Sequence, residues 1–156
     1  MAKLDRWSEI EGIYREGYPA FVRVASAITG DRESAVEAVQ DGFADALRNA
    51  GQWSGRGPLQ AWVWRCVINR ARKARRRQRP FELNAVVARP SGDDSDLLTR
   101  LAALPERQRL VVFLRYYADL DYREIAEALD VKVGTVSATL HAAHGSLRSA
   151  LSEVSG

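Results

Sequence analysis

The stretch PLQAWVWRCVINRARKARRRQR, residues 58–79, constrains this chain more than any other segment. Leu59, Trp62, Val63, Cys66 and Val67 recur at helical spacing and predict one apolar stripe along an amphipathic helix. Pro58 suits the first helical position, where a missing N–H has no partner to lose. From Arg65 onward the stretch carries Arg65, Arg70, Arg72, Lys73, Arg75, Arg76, Arg77 and Arg79, with no acid among them. A helix buried along one face and cationic at its end is suited to lie against a polyanion. Trp62 falls on the stripe and is expected in the core, whereas Trp64 is expected on the exposed side. There an aromatic can stack on an unpaired base and Asn69 can reach a base edge. A basic run can also simply complement the helix dipole at a solvated C-terminus.

Charge is distributed to match. Residues 1–79 hold 15 basic and 9 acidic side chains, a net of +6, while residues 80–156 hold 8 and 11, a net of −3. The single cysteine, Cys66, excludes an internal disulfide and a cysteine-cluster zinc site, and on the stripe it reads as a buried thiol. No apolar run reaches membrane-spanning length, and the first residues lack an apolar leader, so a cytoplasmic protein without membrane insertion is expected.

Ahead of the organising helix, residues 4–16 predict a short helix and Pro19 opens a second, with Phe21, Val24, Ala25 and Ile28 inward. Asp31 reads as the N-cap of a third helix reaching about Asn49, with Ala35, Val39, Phe43, Ala46 and Leu47 on its stripe. Gly51, Gly55 and Gly57 mark the loop that follows. Two prolines and a Ser-Gly-Asp-Asp cluster make residues 78–94 a flexible linker, separating a domain at 1–77 from one at 95–156. In the second, Leu110, Val111, Leu114 and Tyr117 form a buried stripe. Asp121 and Glu124 make a capping box, and DVKVG turns the chain into a last helix with Val136, Leu140, Ala143, Leu147 and Leu151 inward. A capped helix, a brief turn and a second helix are the helix-turn-helix pattern. The expected fold is all-α, two small helical domains.

With both halves read, the chain resembles the sigma-70 family, and within it the small sigma factors of the extracytoplasmic function (ECF) type. YPAFVRVASAITGD, AVQDGFADAL and AWVWRCVINRARKARRR resemble region two; LPERQRLVVFLRYYADLDYREIAEAL and VGTVSATLHAAHGSLR resemble region four. The resemblance implies a four-helix region-two domain and a helix-turn-helix region-four domain. It also implies binding to core RNA polymerase, recognition of promoter DNA, opening of the −10 region and a partner anti-sigma protein. Carried over by motif, Gln40 and Asp41 are candidates for the polymerase contact. Gln52, Trp53, Ser54 and Arg56 in the loop, with Trp64, Asn69, Arg70, Arg72, Lys73 and Arg76 on the helix, are candidates for −10 DNA. Thr135, Ser137, Ala138, Thr139, His141 and Arg148 are candidates for −35 DNA.

One helix departs from the family pattern. The face expected to grip the −35 major groove reads SATLHAAHGS, with no formal charge near neutral pH before Arg148, and Lys132 stands where a small hydroxyl residue is frequent. Phosphate neutralisation supplies much of the affinity of such helices, so weak or unusual −35 binding is expected. That face motivates an alternative, a sigma-derived regulator acting mainly through polymerase or anti-sigma contacts. An enzyme acting on nucleic acid would need convergent carboxylates or a metal site. His141 and His144 sit three apart with no further ligand beside them, so no metal, cofactor or small-molecule substrate is expected.

Overall fold

The computed structural model describes residues 2–55, 57–75 and 100–155. The regular elements among them are helical: α1 (Ala2–Thr29), α2 (Arg32–Arg48), a 3-10 turn (Ala50–Gln52), α3 (Leu59–Arg75), α4 (Glu106–Tyr116), α5 (Tyr122–Leu129) and α6 (Val133–Ser155). A further helical turn lies at 100–103. The expected linker, 78–94, lies outside the described residues.

The two helices expected before Gly30 are one helix, with Pro19 inside it. An interior proline removes a backbone hydrogen bond and crowds the preceding turn, at a cost of about 3 kcal/mol. Burial outweighs that cost here. Ile10 lies on one side of the proline, Phe21, Val24, Ala25 and Ile28 on the other, all inaccessible to solvent in one core. The larger of these side chains contribute about 1.5–3 kcal/mol each, and Pro19 itself faces outward. The helix ends at Gly30, whose φ of +86° takes the left-handed conformation that closes helices without a Cβ penalty. Asp31 then caps α2 as expected, its carboxylate accepting from the Ser34 N–H at 2.7 Å.

Helices α1, α2 and α3 pack as a trio around stacked rings. Phe21 lies face to face with Trp64 at 3.8 Å between centroids and meets Phe43 edge-on at 4.8 Å; Tyr14 meets the same Phe43 at 5.0 Å. The α2–α3 crossing is close because Gly42 has no side chain: a Cβ there would stand 2.6 Å from the Val67 Cα.

The apolar stripe of α3 is rotated from its expected position. Leu59, Ala61, Val63, Trp64, Val67, Ile68 and Ala71 are buried, while Trp62 and Cys66 are only half-buried at its flank. The physical reason is that α3 is covered twice, by α1 and α2 on one side and by α5 on another. Two covering surfaces widen and turn the apolar face. Trp64, expected on the exposed side, is therefore 1% exposed.

The second half forms as its caps require. Asp121 and Glu124 make the reciprocal capping box: the Glu124 N–H donates to Asp121 at 2.8 Å and the Asp121 N–H to Glu124 at 3.2 Å. Asp130 ends α5 in the left-handed conformation, φ +56°, and Val136, Leu140 and Ala143 of α6 are buried. Tyr117, expected on the buried stripe of α4, is instead 38% exposed, because its ring covers Phe113 and receives the Arg23 guanidinium from α1. Leu147 is half-buried. The halves share one core, with α5 against α3 and α4 against α1.

Candidate nucleic-acid interface

The cationic end of α3 carries no acid in its own sequence, yet the fold brings acids to it from three other helices. Arg70 is clamped by Asp45 of α2, Nε to Oδ2 at 2.5 Å and Nη2 to Oδ1 at 2.8 Å. Hydrogen bonding to Arg70 holds the Asp45 carboxyl below the usual range, against a smaller opposing effect of burial. Arg72 donates to Glu106 of α4 at 3.2 Å. Arg65 donates to the Glu127 carbonyl of α5 at 2.9 Å and lies 3.4 Å from the Asp130 carboxylate. Asn69 and Lys73 are exposed. Of the −10 candidates on this helix, Asn69, Arg70, Arg72 and Lys73 thus reach the surface, two of them in ion pairs. Trp64 is stacked on Phe21 beneath it and cannot reach a base as placed. Arg76 lies outside the described residues.

The loop before α3 is anchored at one end. Gln52 closes the 3-10 turn, its N–H donating to the Asn49 carbonyl at 2.8 Å. Gln52 and Ser54 are exposed, while Trp53 is half-buried against the core and its indole N–H has no acceptor among the described residues. Gly55 and Gly57 both have positive φ, +81° and +73°, so this corner needs residues without a Cβ. Arg56, between them, lies outside the described residues. From α1, Arg6 donates to the Ala50 carbonyl at 2.6 Å and places its guanidinium 5.1 Å from the centre of the Trp53 ring. Nothing in the sequence pattern pointed to Arg6.

Gln40 and Asp41 are both exposed on α2. Asp41 borders, with Ser34, Glu37, Arg70 and Lys73, an open cleft of about 220 Å³ between α2 and α3. On α6, Ser137, Ala138, His141 and Arg148 are exposed and Thr135 and Thr139 partly so, while Val136, Leu140 and Ala143 fix the opposite face inward. The six −35 candidates therefore share the outer side of one helix, and Arg148 is its one cation from Val133 to Ser149. His144 is engaged by Tyr116 of α4, with the tyrosine hydroxyl 2.9 Å from Nε2. No group of three or more His, Cys, Asp or Glu among the described residues could hold a metal ion. No helix among them is long and apolar enough to cross a membrane.

The family models that match are Sigma-70 region 2, over residues 13–81, and Sigma-70 region 4, over residues 95–144. Among curated relatives, the RNA polymerase sigma-E factor of Streptomyces antibioticus is 30% identical over 155 residues, covering 92% of this chain and 84% of the relative. The ECF RNA polymerase sigma factor SigW of Bacillus subtilis is 23% identical, covering 96% and 91%. The fold is that of CnrH in its complex with the cytosolic domain of CnrY (TM-score 0.75, 19% identity, 97% and 95% covered). It is also that of the sigma factor RpoE in complex with the anti-sigma factor NepR from Bartonella quintana (TM-score 0.72, 18% identity, 92% and 97% covered). With both regions matched in order and a relative of this identity spanning nearly all of it, the chain belongs to the ECF RNA polymerase sigma factors of the sigma-70 family.

Proposed function

We propose that this sigma factor selects promoters mainly through its −10 surface, with a subordinate contribution from α6. The observation that carries this reading is the contrast between the two DNA-facing helices. The end of α3 presents Arg70, Arg72 and Lys73 and the loop before α3 exposes Gln52 and Ser54, whereas the outer side of α6 presents Ser137, Ala138, Thr139 and His141 before its first cation. Cations neutralise phosphates and set affinity; uncharged side chains can read base edges but add little to it. Opening the duplex needs no catalytic group of its own. It follows from binding the separated strand better than the paired one, with an extruded base held at the loop.

In this reading Gln40 and Asp41, exposed and adjacent on α2, meet core polymerase. Residues 1–77 form the polymerase and −10 domain, residues 78–94 a linker and residues 95–156 the −35 domain. The protein acts in the cytoplasm beside the nucleoid. The similar fold of RpoE, solved in complex with the anti-sigma factor NepR, supports a partner anti-sigma protein for this chain as well.

Transcription by core polymerase and this protein, on promoters with the −35 and −10 elements scrambled separately, tests the proposal. Initiation that depends on −10 and scarcely on −35 is the expected result. Equal dependence on both would overturn the subordinate role of α6. A stable complex with core that never initiates would favour the regulator motivated by the neutral α6 face.

A further inference from the structure

The first turns of α1 precede the residues matched by the region 2 family model, which begins at residue 13. They are nevertheless bound to the loop before α3. Arg6 donates to the Ala50 carbonyl at 2.6 Å, and its guanidinium lies over the Trp53 ring at 5.1 Å. One residue on, the Trp7 indole N–H donates to the Leu47 carbonyl at 3.1 Å, in the last turn of α2. Two adjacent side chains therefore hold the exit of α2 and the 3-10 turn that begins the loop.

The loop needs such a brace. Residues 49–57 include Gly51, Gly55 and Gly57, and glycine loses more conformational freedom on ordering than any other residue. A loop that must present a base-sized recess binds more tightly and selectively when its shape is fixed beforehand. A charge-assisted hydrogen bond to a carbonyl and a cation held over an indole face are both strong, directional contacts. They act on Ala50 and Trp53, the residues flanking exposed Gln52 and leading to Ser54. Arg6 itself stands on α1 and is half-buried.

From this geometry we infer that Arg6 is a positioning residue for promoter recognition: it sets the conformation of the 50–54 loop and thereby how sharply that loop discriminates among −10 bases. Trp7 supports it by fixing the end of α2. The inference rests on the −10 reading of the loop given above. It assigns a role to the segment preceding the region 2 match, and it makes base selectivity, rather than polymerase affinity, the property that segment controls.

The test is selection of initiating sequences from a promoter library randomised across the −10 element. Core polymerase is used with the full-length protein as wild type, Arg6→Gln, Arg6→Lys and Trp7→Phe. The wild type is expected to select a defined −10 sequence. Arg6→Gln should lower the preference for the best base over the worst by about three- to tenfold at the positions the loop reads, with core binding unchanged. Arg6→Lys, which keeps a cationic donor, should restore part of it. A wild type without any −10 preference would remove the loop reading and this inference with it. A clear wild-type preference that survives unaltered in Arg6→Gln would leave the loop reading standing and overturn the role of Arg6. Should Arg6→Gln fail to fold, Trp7→Phe decides: it deletes one N–H and keeps the ring. A weakened −10 preference is then expected, and an undiminished one overturns the inference.

Discussion

The Nε of Arg109, on α4, lies 2.9 Å from the carbonyl oxygen of Ala27, in the last turn of α1. Carbonyls at a helix C-terminus lack intrahelical partners and carry the negative end of the dipole, and α1 has no basic residue of its own there. The cation that caps this helix comes from the other half of the molecule. The same guanidinium donates through Nη1 to the carbonyls of Ala102 and Leu104, at 2.9 and 3.2 Å, while only 8% exposed. Burial works against its charge. Replacement by methionine removes the cation and leaves three carbonyls short of a donor. Arg109→Met is expected to destabilise the protein by about 2–5 kcal/mol, the range for breaking a buried charged contact. Urea unfolding checks it, and a loss below about 1 kcal/mol would show that water replaces the guanidinium at little cost.

The Asp45–Arg70 clamp has a pH signature whose sign is fixed. The Asp45 carboxyl is held below its unfolded value, so its contribution is complete above about pH 4 and is lost as pH falls through the lowered folded value. Glu124 runs the other way, since burial raises it. Comparison with Asp45→Asn isolates the clamp because both proteins keep Glu124. The stability difference between wild type and Asp45→Asn should shrink as the solution is acidified below about pH 4, as followed by urea melts between pH 3 and 7. A difference independent of pH would mean that the carboxylate charge is not what the clamp uses.

Sequence alone exposed the helical architecture because its signals are local: caps at Asp31 and Asp121, the Gly30 stop, and the period of the stripes. It misplaced what depends on distant neighbours. Trp64 and Trp62 sit two residues apart on one helix, and Trp64 is the buried one because its ring stacks on Phe21 of α1, more than forty positions away in the chain. Pro19 read as a helix start because the chemistry of proline is local, whereas the core that spans it is not. The ion pairs of Arg65 and Arg72 were invisible for the same reason, since their acids belong to the second half of the chain.

Those pairs predict a salt-dependent behaviour of the free protein. Glu106, Glu127 and Asp130 occupy arginines on the helix proposed to hold the −10 strand, so they compete with phosphate for the same guanidinium groups. The combined Glu106→Gln, Glu127→Gln, Asp130→Asn protein should bind a single-stranded −10 oligonucleotide about three- to tenfold more tightly than wild type at low salt. The gap should close as salt rises. Its stability should change little, because these pairs are exposed. Fluorescence anisotropy over a salt series makes the measurement. Equal affinities at low salt would show that the carboxylates do not compete.

The neutral outer side of α6 invites the opposite manipulation, adding charge where the family usually has it. Ala138 is exposed, one turn after the helix begins, between the partly exposed Thr135 and Thr139 and beside Ser137. Ala138→Arg keeps a good helix former and puts a cation on the side proposed to meet −35 DNA. One added phosphate contact should steepen the dependence of log K on log salt by about 0.9 for duplex −35 DNA. In transcription, the variant should acquire a dependence on −35 that the wild type scarcely shows. Tighter binding without a steeper salt slope would mean that the arginine acts on a base edge instead of a phosphate. No change in either would mean that this side of α6 does not face DNA in the initiation complex, and −35 recognition would then have to be sought elsewhere on the second half.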